Sequence, residues 1–134
     1  MGLFQNIFKP KALENNGEDK VNAFQWFTLE DVSQLDALEK ISEDKLVVIF
    51  KHSVTCGISH MVWHNFKTQI DFDNQHIDMF YLDLKAHRDV SNEVSKRFKV
   101  LHQSPQILVL KNREVIHHAS HSAIKVDKIK QFLP

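Results

Sequence analysis

An uninterrupted apolar run, Leu46-Val47-Val48-Ile49-Phe50, lies between two stretches with helical periodicity and restricts the folds open to this chain. A strand without polar alternation is typical of one buried on both faces of a sheet. The flanking stretches place apolar residues three or four apart, which predicts amphipathic helices that cover those faces. Their apolar positions are Leu29, Val32, Leu35, Leu38 and Ile41 before the run, and Ile58, Met61, Val62, Phe66 and Ile70 after it. The chain is therefore predicted to fold as an α/β protein around a buried central strand.

The rest of the chain continues to alternate helix and strand patterns. The expected elements are a helix opened and capped by Thr28, a helix from about 56 to 70, a strand over 77–84, a helix over 90–98, strands over 106–110 and 114–118, and a final helix over 124–133 capped by Ser122. Lys111-Asn112-Arg113 is predicted as a hairpin turn. The early strand-helix-strand unit favours parallel pairing, and the tight turn favours antiparallel pairing. We expect a mixed central sheet of about four strands with helices on both faces.

Length and charge limit the domain organisation and the partners. The chain has 134 residues, with 17 Lys plus Arg and 17 Asp plus Glu. It therefore suits one domain and lacks the basic excess typical of nucleic-acid or anionic-membrane binding. We expect a partly ordered arm over residues 1–22 and a domain over 23–134. With one cysteine, no signal-peptide pattern and no apolar stretch near the roughly 20 residues of a membrane span, we expect a cytoplasmic protein.

The only cysteine, Cys56, lies where the apolar strand passes into the following helix. Helix N-termini present unsatisfied N–H groups and a partial positive charge, which favour a thiolate over a thiol. Because the thiolate is the nucleophile, this position predicts chemistry through one cysteine. Lys51, or His52 if protonated, is a candidate for further stabilisation of the thiolate. His60 and His64 share a helical spacing with Cys56, but we expect no metal site, since nine histidines make such spacing common by chance.

The element order, with a cysteine at the first strand-to-helix junction and Ser104-Pro105 before the third strand, resembles the thioredoxin fold over roughly residues 26–133. Within that frame, Lys51-His52-Ser53 followed by Thr55-Cys56-Gly57-Ile58-Ser59 is similar to the monothiol bacilliredoxin family. The signature of that family is Thr-Cys-Pro-Ile-Ser after a Lys-His-Ser strand end, and the chain departs from it at Gly57. The resemblance implies that Pro105 is cis and lies against the cysteine. It also implies that the backbone of Ser104 pairs with the substrate in a groove.

The bacilliredoxin resemblance implies removal of bacillithiol from proteins that carry it as a mixed disulfide. Cys56 would be the nucleophile, and Thr55, Gly57 and Ser59 would shape the helix N-terminus around it. Ser59 stands at the position of the second cysteine in Cys-x-x-Cys enzymes and cannot form a disulfide, so an external thiol must regenerate Cys56. We expect S-bacillithiolated client proteins and bacillithiol as partners, and no tightly bound cofactor. We also expect a monomer, with a dimer linked through Cys56 as the alternative.

Two other functions are compatible with the sequence. Cys56-Gly57-Ile58-Ser59 differs by one residue from the Cys-Gly-Phe-Ser of monothiol glutaredoxins, a resemblance that would imply an iron–sulfur carrier with a [2Fe–2S] cluster between two subunits. Those proteins hold glutathione with a Gly-Gly pair before their last helix, whereas residues 117–122 here contain no glycine. In the second alternative, Cys56 is inert and the chain is a non-catalytic interaction module with a thioredoxin fold.

Overall fold

A computed structural model describes residues 7–11 and 24–134, which form a five-stranded mixed sheet with helices on both faces. The strands are β1 (Trp26–Thr28), β2 (Leu46–His52), β3 (Ile77–Asp83), β4 (Gln106–Lys111) and β5 (Glu114–Ser120), in the spatial order β1-β3-β2-β4-β5. The helices are α1 (Gln34–Ile41), α2 (Gly57–Thr68), α3 (Arg88–Phe98) and α4 (Val126–Lys130). β3 pairs in parallel with β1 and β2, whereas β4 pairs antiparallel with β2 and β5. The predicted α/β architecture is confirmed, with one strand more than expected.

The central strand, β2, divides its side chains between two apolar layers. Val48 and Phe50 belong to the layer that includes residues of α2 and α4. Val47 and Ile49 belong to the opposite layer, with residues of α1 and α3. Every residue of β2 is buried, which explains its uninterrupted apolar run. The two layers fix the strand end from which the chain turns into α2.

The first helix begins later than the sequence predicted. Thr28 ends β1, where its N–H donates to the carbonyl of Lys9 at 2.9 Å, and it does not cap a helix. α1 begins at Gln34, whose side-chain Oε1 accepts the N–H of Glu30 at 2.7 Å. The prediction was wrong because a three-residue strand is too short to show alternation, and β1 obtains its pairing from β3.

The C-terminal helix is shorter than predicted. β5 continues to Ser120, a 3₁₀ turn spans His121–Ala123, and α4 covers only Val126–Lys130. Ser122 lies inside that turn and does not cap α4, because Ile124 is extended (φ −74°, ψ 112°) and delays the helix. The hairpin turn is confirmed, since Asn112 and Arg113 have φ values of 51° and 70°, the conformation that a tight two-residue hairpin requires.

Residues 7–11 add a short edge to the sheet beside β1. Pro10 bridges Phe27, and the N–H of Lys11 donates to a β1 carbonyl at 2.7 Å. Phe8 is buried and packs on Phe80, with ring centroids 4.7 Å apart. This part of the predicted arm is therefore docked on the domain; its residues 1–6 and 12–22 lie outside the described ranges. Within those ranges, none of the helices is long and apolar enough to cross a membrane.

Candidate active site around Cys56

Cys56 is the residue that caps the N-terminus of α2. Its backbone is extended (φ −100°, ψ 121°), and its carbonyl accepts the N–H of His60 at 2.9 Å, the first turn of the helix. Its own N–H donates to the carbonyl of Ser53 at 3.1 Å, which closes the turn between β2 and α2. The side chain is exposed. The structure thus places the thiol at the predicted strand-to-helix junction, where an external disulfide has access to it.

Ser59, at the fourth position of the motif, is oriented away from solvent. It is completely buried, and its Oγ lies 2.7 Å from Nδ1 of His52. The same Oγ accepts the N–H of Ser53 at 3.2 Å. These bonds join the end of β2 to the first turn of α2. The position that holds a second thiol in dithiol enzymes is therefore occupied by a hydroxyl with a structural bonding pattern.

His52 is a neutral, buried imidazole. Its ring packs against Trp63 and Tyr81, with centroid distances of 6.0 Å and 5.7 Å. Burial, followed by the neighbouring His60, lowers the pKa of His52 from 6.5 to about 4. At neutral pH His52 therefore carries no full charge that could stabilise a thiolate.

Lys51 points into the other layer of the domain. It is fully buried opposite Gln106, and its ammonium has no hydrogen-bond partner within the part of the chain that the structure describes. Burial lowers the pKa of Lys51 from 10.5 to about 8. Of the two residues predicted to assist the thiolate, only Lys51 is mainly charged at neutral pH. Its assistance remains a prediction.

The residues on either side of Cys56 differ in what they contact. The Oγ1 of Thr55 accepts a hydrogen bond from Nζ of Lys85 at 3.1 Å. Gly57 is the first residue of α2, and a Cβ built on it would meet no atom within 4 Å. Sequence reasoning missed Lys85. The signal was its place just after β3, because the carboxyl ends of parallel strands β2 and β3 meet at one edge of the sheet.

The Ser104–Pro105 peptide bond is cis, as the resemblance implied. Pro105 is buried directly before β4, and its carbonyl accepts the N–H of His121 at 3.0 Å. Because Gln106 pairs with Lys51, the cis-proline lies at the β2 end that leads to Cys56. The Oγ of Ser104 is buried, without a hydrogen-bond partner among the described residues. The structure brings this dipeptide to the predicted end of the sheet; its role in a substrate groove remains a prediction.

An exposed apolar surface adjoins the thiol. Val54, Ile58 and Met61 are 51%, 68% and 62% exposed. The sequence predicted that Ile58 and Met61 would pack inward, which is wrong. The buried side of α2 carries Ser59, Trp63 and Phe66 instead. A polar residue begins the buried stripe, so hydrophobic spacing alone could not locate it.

The histidines near Cys56 do not assemble a metal centre in the described structure. His60 and His64 are exposed. Among residues 7–11 and 24–134, no group of three His, Cys, Asp or Glu side chains could hold a metal ion.

Solved structures with similar folds are thioredoxin-like. A protein described as a candidate oxidoreductase with a thioredoxin fold matches with a TM-score of 0.64 and 28% identity, over 78% of this chain and 89% of that one. Thioredoxin from Malassezia sympodialis matches with a TM-score of 0.60 and 18% identity, over 78% and 84% of the two chains. Thioredoxin from Schistosoma mansoni gives 0.59 and 16%, over 79% and 90%. These likenesses show a thioredoxin fold.

A thioredoxin fold with one exposed cysteine before α2 and a cis-proline before β4 defines a monothiol protein of the thiol oxidoreductase type. A family model described as monothiol bacilliredoxin BrxC matches residues 27–129. The chain belongs to the monothiol bacilliredoxin BrxC family. The matched region begins within β1, so the docked residues 7–11 lie outside it.

Proposed function

We propose that this protein removes bacillithiol from S-bacillithiolated client proteins by thiol–disulfide exchange through Cys56. The observation that carries the proposal is the contrast between two positions of the motif. The thiol of Cys56 is exposed at a helix N-terminus, whereas Ser59 is fully buried and hydrogen-bonded. This contrast supports a reaction with one protein thiol and an external regenerating thiol.

The exchange has two balanced steps. The Cys56 thiolate attacks the bacillithiol sulfur, and a new S–S bond to Cys56 forms as the bond to the client breaks. The client sulfur leaves as a thiolate and takes a proton from water. A second low-molecular-weight thiol, or a partner thiol, then attacks the bacillithiol sulfur on Cys56 and restores the free thiol. The helix N-terminus favours the anionic form of Cys56 in both steps.

Surrounding residues support binding of a peptide and a thiol at this point. The Ser104–Pro105 cis bond lies at the same end of the sheet, so we propose that the backbone of Ser104 pairs with an extended client segment. The exposed apolar surface of Val54, Ile58 and Met61 offers contact for the client protein. One cysteine, which forms no internal disulfide, suits a reducing compartment such as the cytoplasm.

The test is intact mass spectrometry of both proteins after reduced protein is mixed with a bacillithiolated client. We expect the mass of bacillithiol to move from the client to this chain, with the client returned to its free thiol. A matched Cys56→Ser variant should transfer nothing and keep its fold, because the side chain is exposed. Transfer by that variant, or an unchanged client beside reduced wild-type protein, would contradict the proposal.

The same preparation separates the two alternatives. An iron–sulfur carrier would show visible absorption after anaerobic purification and would dimerise. An inert cysteine would react with an alkylating agent at pH 6 no faster than a model thiol. We expect no visible band, and faster alkylation than that of the model thiol.

A further inference from the structure

Three lysine side chains surround the corner that holds Cys56. Nζ of Lys85 donates to Oγ1 of Thr55, the residue before the cysteine, at 3.1 Å. Nζ of Lys11 lies 4.3 Å from the ring centroid of Tyr81, and Nζ of Lys67 lies 5.0 Å from that of Trp63. We name Lys11, Lys67 and Lys85 the cationic rim. They come from the docked arm, from α2 and from the segment after β3.

The rings beneath two of these lysines form one continuous floor. The centroids of Tyr81 and Trp63 are 4.7 Å apart, and both rings pack on His52. His52 in turn bonds Ser59 in the first turn of α2. Lys11 and Lys67 therefore lie above neighbouring rings, beside the strand end that leads to Cys56. Cation–π contacts of this kind hold an ammonium in place without neutralising its charge.

Charge at this corner is not balanced locally. The acid that faces it is Asp83, directly opposite His52 in the sheet, and its carboxylate accepts the backbone N–H groups of Lys85 and Ala86. The ion pairs of the described residues join other partners and include neither Lys67 nor Lys85. Because the whole chain has a formal charge of zero, this excess of cations is local. A site of this kind attracts anions.

The cationic rim differs in character from the apolar surface of Val54, Ile58 and Met61, which also adjoins Cys56. We propose that the rim binds carboxylate groups of the low-molecular-weight thiol that Cys56 accepts, while the apolar surface contacts the client. This inference rests on the proposed function for the identity of the reaction, and it adds the chemical class of the thiol. The small thiol is an anion that carries carboxylates, and Lys67 and Lys85 contribute to its selection.

The test uses two activated disulfides that differ in charge. Dithiobis(nitrobenzoate) carries a carboxylate on each half, and dithiodipyridine is neutral near pH 7.5. In each reaction the Cys56 thiolate attacks one sulfur, forms a mixed disulfide and releases one coloured aryl thiolate or thione. Stopped-flow absorbance gives the rate constant for each probe, and their ratio removes any change in the intrinsic reactivity of Cys56. Variants Lys67→Gln and Lys85→Gln are compared with Lys96→Gln, an exposed lysine on α3 without an ion pair in the described structure.

We expect the ratio of anionic to neutral rate constants to fall roughly two- to fivefold in Lys67→Gln and in Lys85→Gln, the size expected for single exposed charge contacts. The double variant should show a larger decrease, and Lys96→Gln should match wild type. Added salt should lower the wild-type ratio and leave the ratio of the double variant nearly constant. The salt series on wild type needs no variant, so it tests the inference even where a variant fails to fold.

Unchanged ratios in both variants would overturn the inference. An equal fall of both rate constants would also overturn it, because the lysines would then act on the thiolate and not on the ligand. The proposed function is tested separately, since these probes contain no bacillithiol. Bacillithiol transfer with unchanged ratios would uphold the function and reject the rim. Changed ratios without bacillithiol transfer would keep an anionic small thiol as ligand and reject bacillithiol.

Discussion

Nδ1 of His52 and Oγ of Ser59 lie 2.7 Å apart in the interior, and this bond connects the last residue of β2 to the first turn of α2. The N–H of Ser53 donates to the same oxygen. Ser59 therefore stabilises the turn that presents Cys56. Its hydroxyl is consumed by these bonds, so the mechanism requires no contact between it and the thiol.

Replacement of Ser59 by Ala should cost stability and spare most of the activity. It removes the acceptor of Ser53 N–H and the partner of His52, which leaves buried polar groups unsatisfied. We expect a loss of about 1–3 kcal/mol in the free energy of unfolding, measured by chemical denaturation. Thr68→Ala, on the exposed end of the same helix, should change it by less than about 0.5 kcal/mol. Complete loss of bacillithiol transfer in folded Ser59→Ala would mean that the hydroxyl acts on the thiol.

The low pKa of His52 makes the fold sensitive to acid. The pKa is about 4 in the folded protein and 6.5 in the unfolded chain, so the unfolded state binds the proton first. Stability should fall as the pH decreases from 6.5 to 4, by at most about 3 kcal/mol. Denaturation curves at pH 7 and 4.5 measure this loss, and His52→Gln should show a smaller one. An equal loss in that variant would assign the acid sensitivity to other groups.

Lys51 predicts a change at the alkaline end of the pH range. Its pKa is about 8 in the folded protein and 10.5 in the unfolded chain. Stability should therefore rise between pH 8 and 10.5, as the buried ammonium loses its proton. Lys51→Met should be more stable than wild type at pH 7, by up to about 3 kcal/mol, and should lack this rise. A less stable Lys51→Met would show that the ammonium has a favourable partner, and its alkylation rate tests assistance to Cys56.

Gly57→Pro should be tolerated and should stabilise the protein. Gly57 is the first helical residue, where proline is favoured. Cys56 already has the extended backbone that a following proline prefers, and no atom lies within 4 Å of the added Cβ. We expect about 0.4–1 kcal/mol more stability by denaturation. Cys56 should be alkylated more slowly, because one N–H at the helix start is lost. Gly57→Ala keeps that N–H and is the control; equal alkylation rates in the two variants would exclude a contribution from it.

Long apolar and periodic segments made most of the fold predictable. β2, β3 and α3 were found near their observed limits because their burial patterns span enough residues to show a period. β1 was missed because its three residues gain their hydrogen bonds from β3 and from residues 7–11, which are distant in sequence. No local pattern records such pairing.

The site was predictable where backbone geometry determines it. The strand-to-helix junction placed Cys56, and the family resemblance identified the cis bond at Pro105. The inward orientation of Ser59 was not predictable, because a serine gives no apolar signal and its partner His52 comes from the strand end. Lys85 escaped for the same reason, since only the parallel pairing of β2 and β3 brings it to Thr55.

The buried hydroxyl of Ser59 also has a kinetic meaning under the proposed chemistry. A dithiol enzyme resolves its own adduct by a first-order step whose rate belongs to the protein. This chain has no second sulfur, so the adduct on Cys56 persists until another molecule collides with it. Its lifetime is then set by the concentration of external thiol. The fraction of chains in the adduct would thus rise as the reducing thiol is depleted, so that occupancy of Cys56 reports on the surrounding thiol pool.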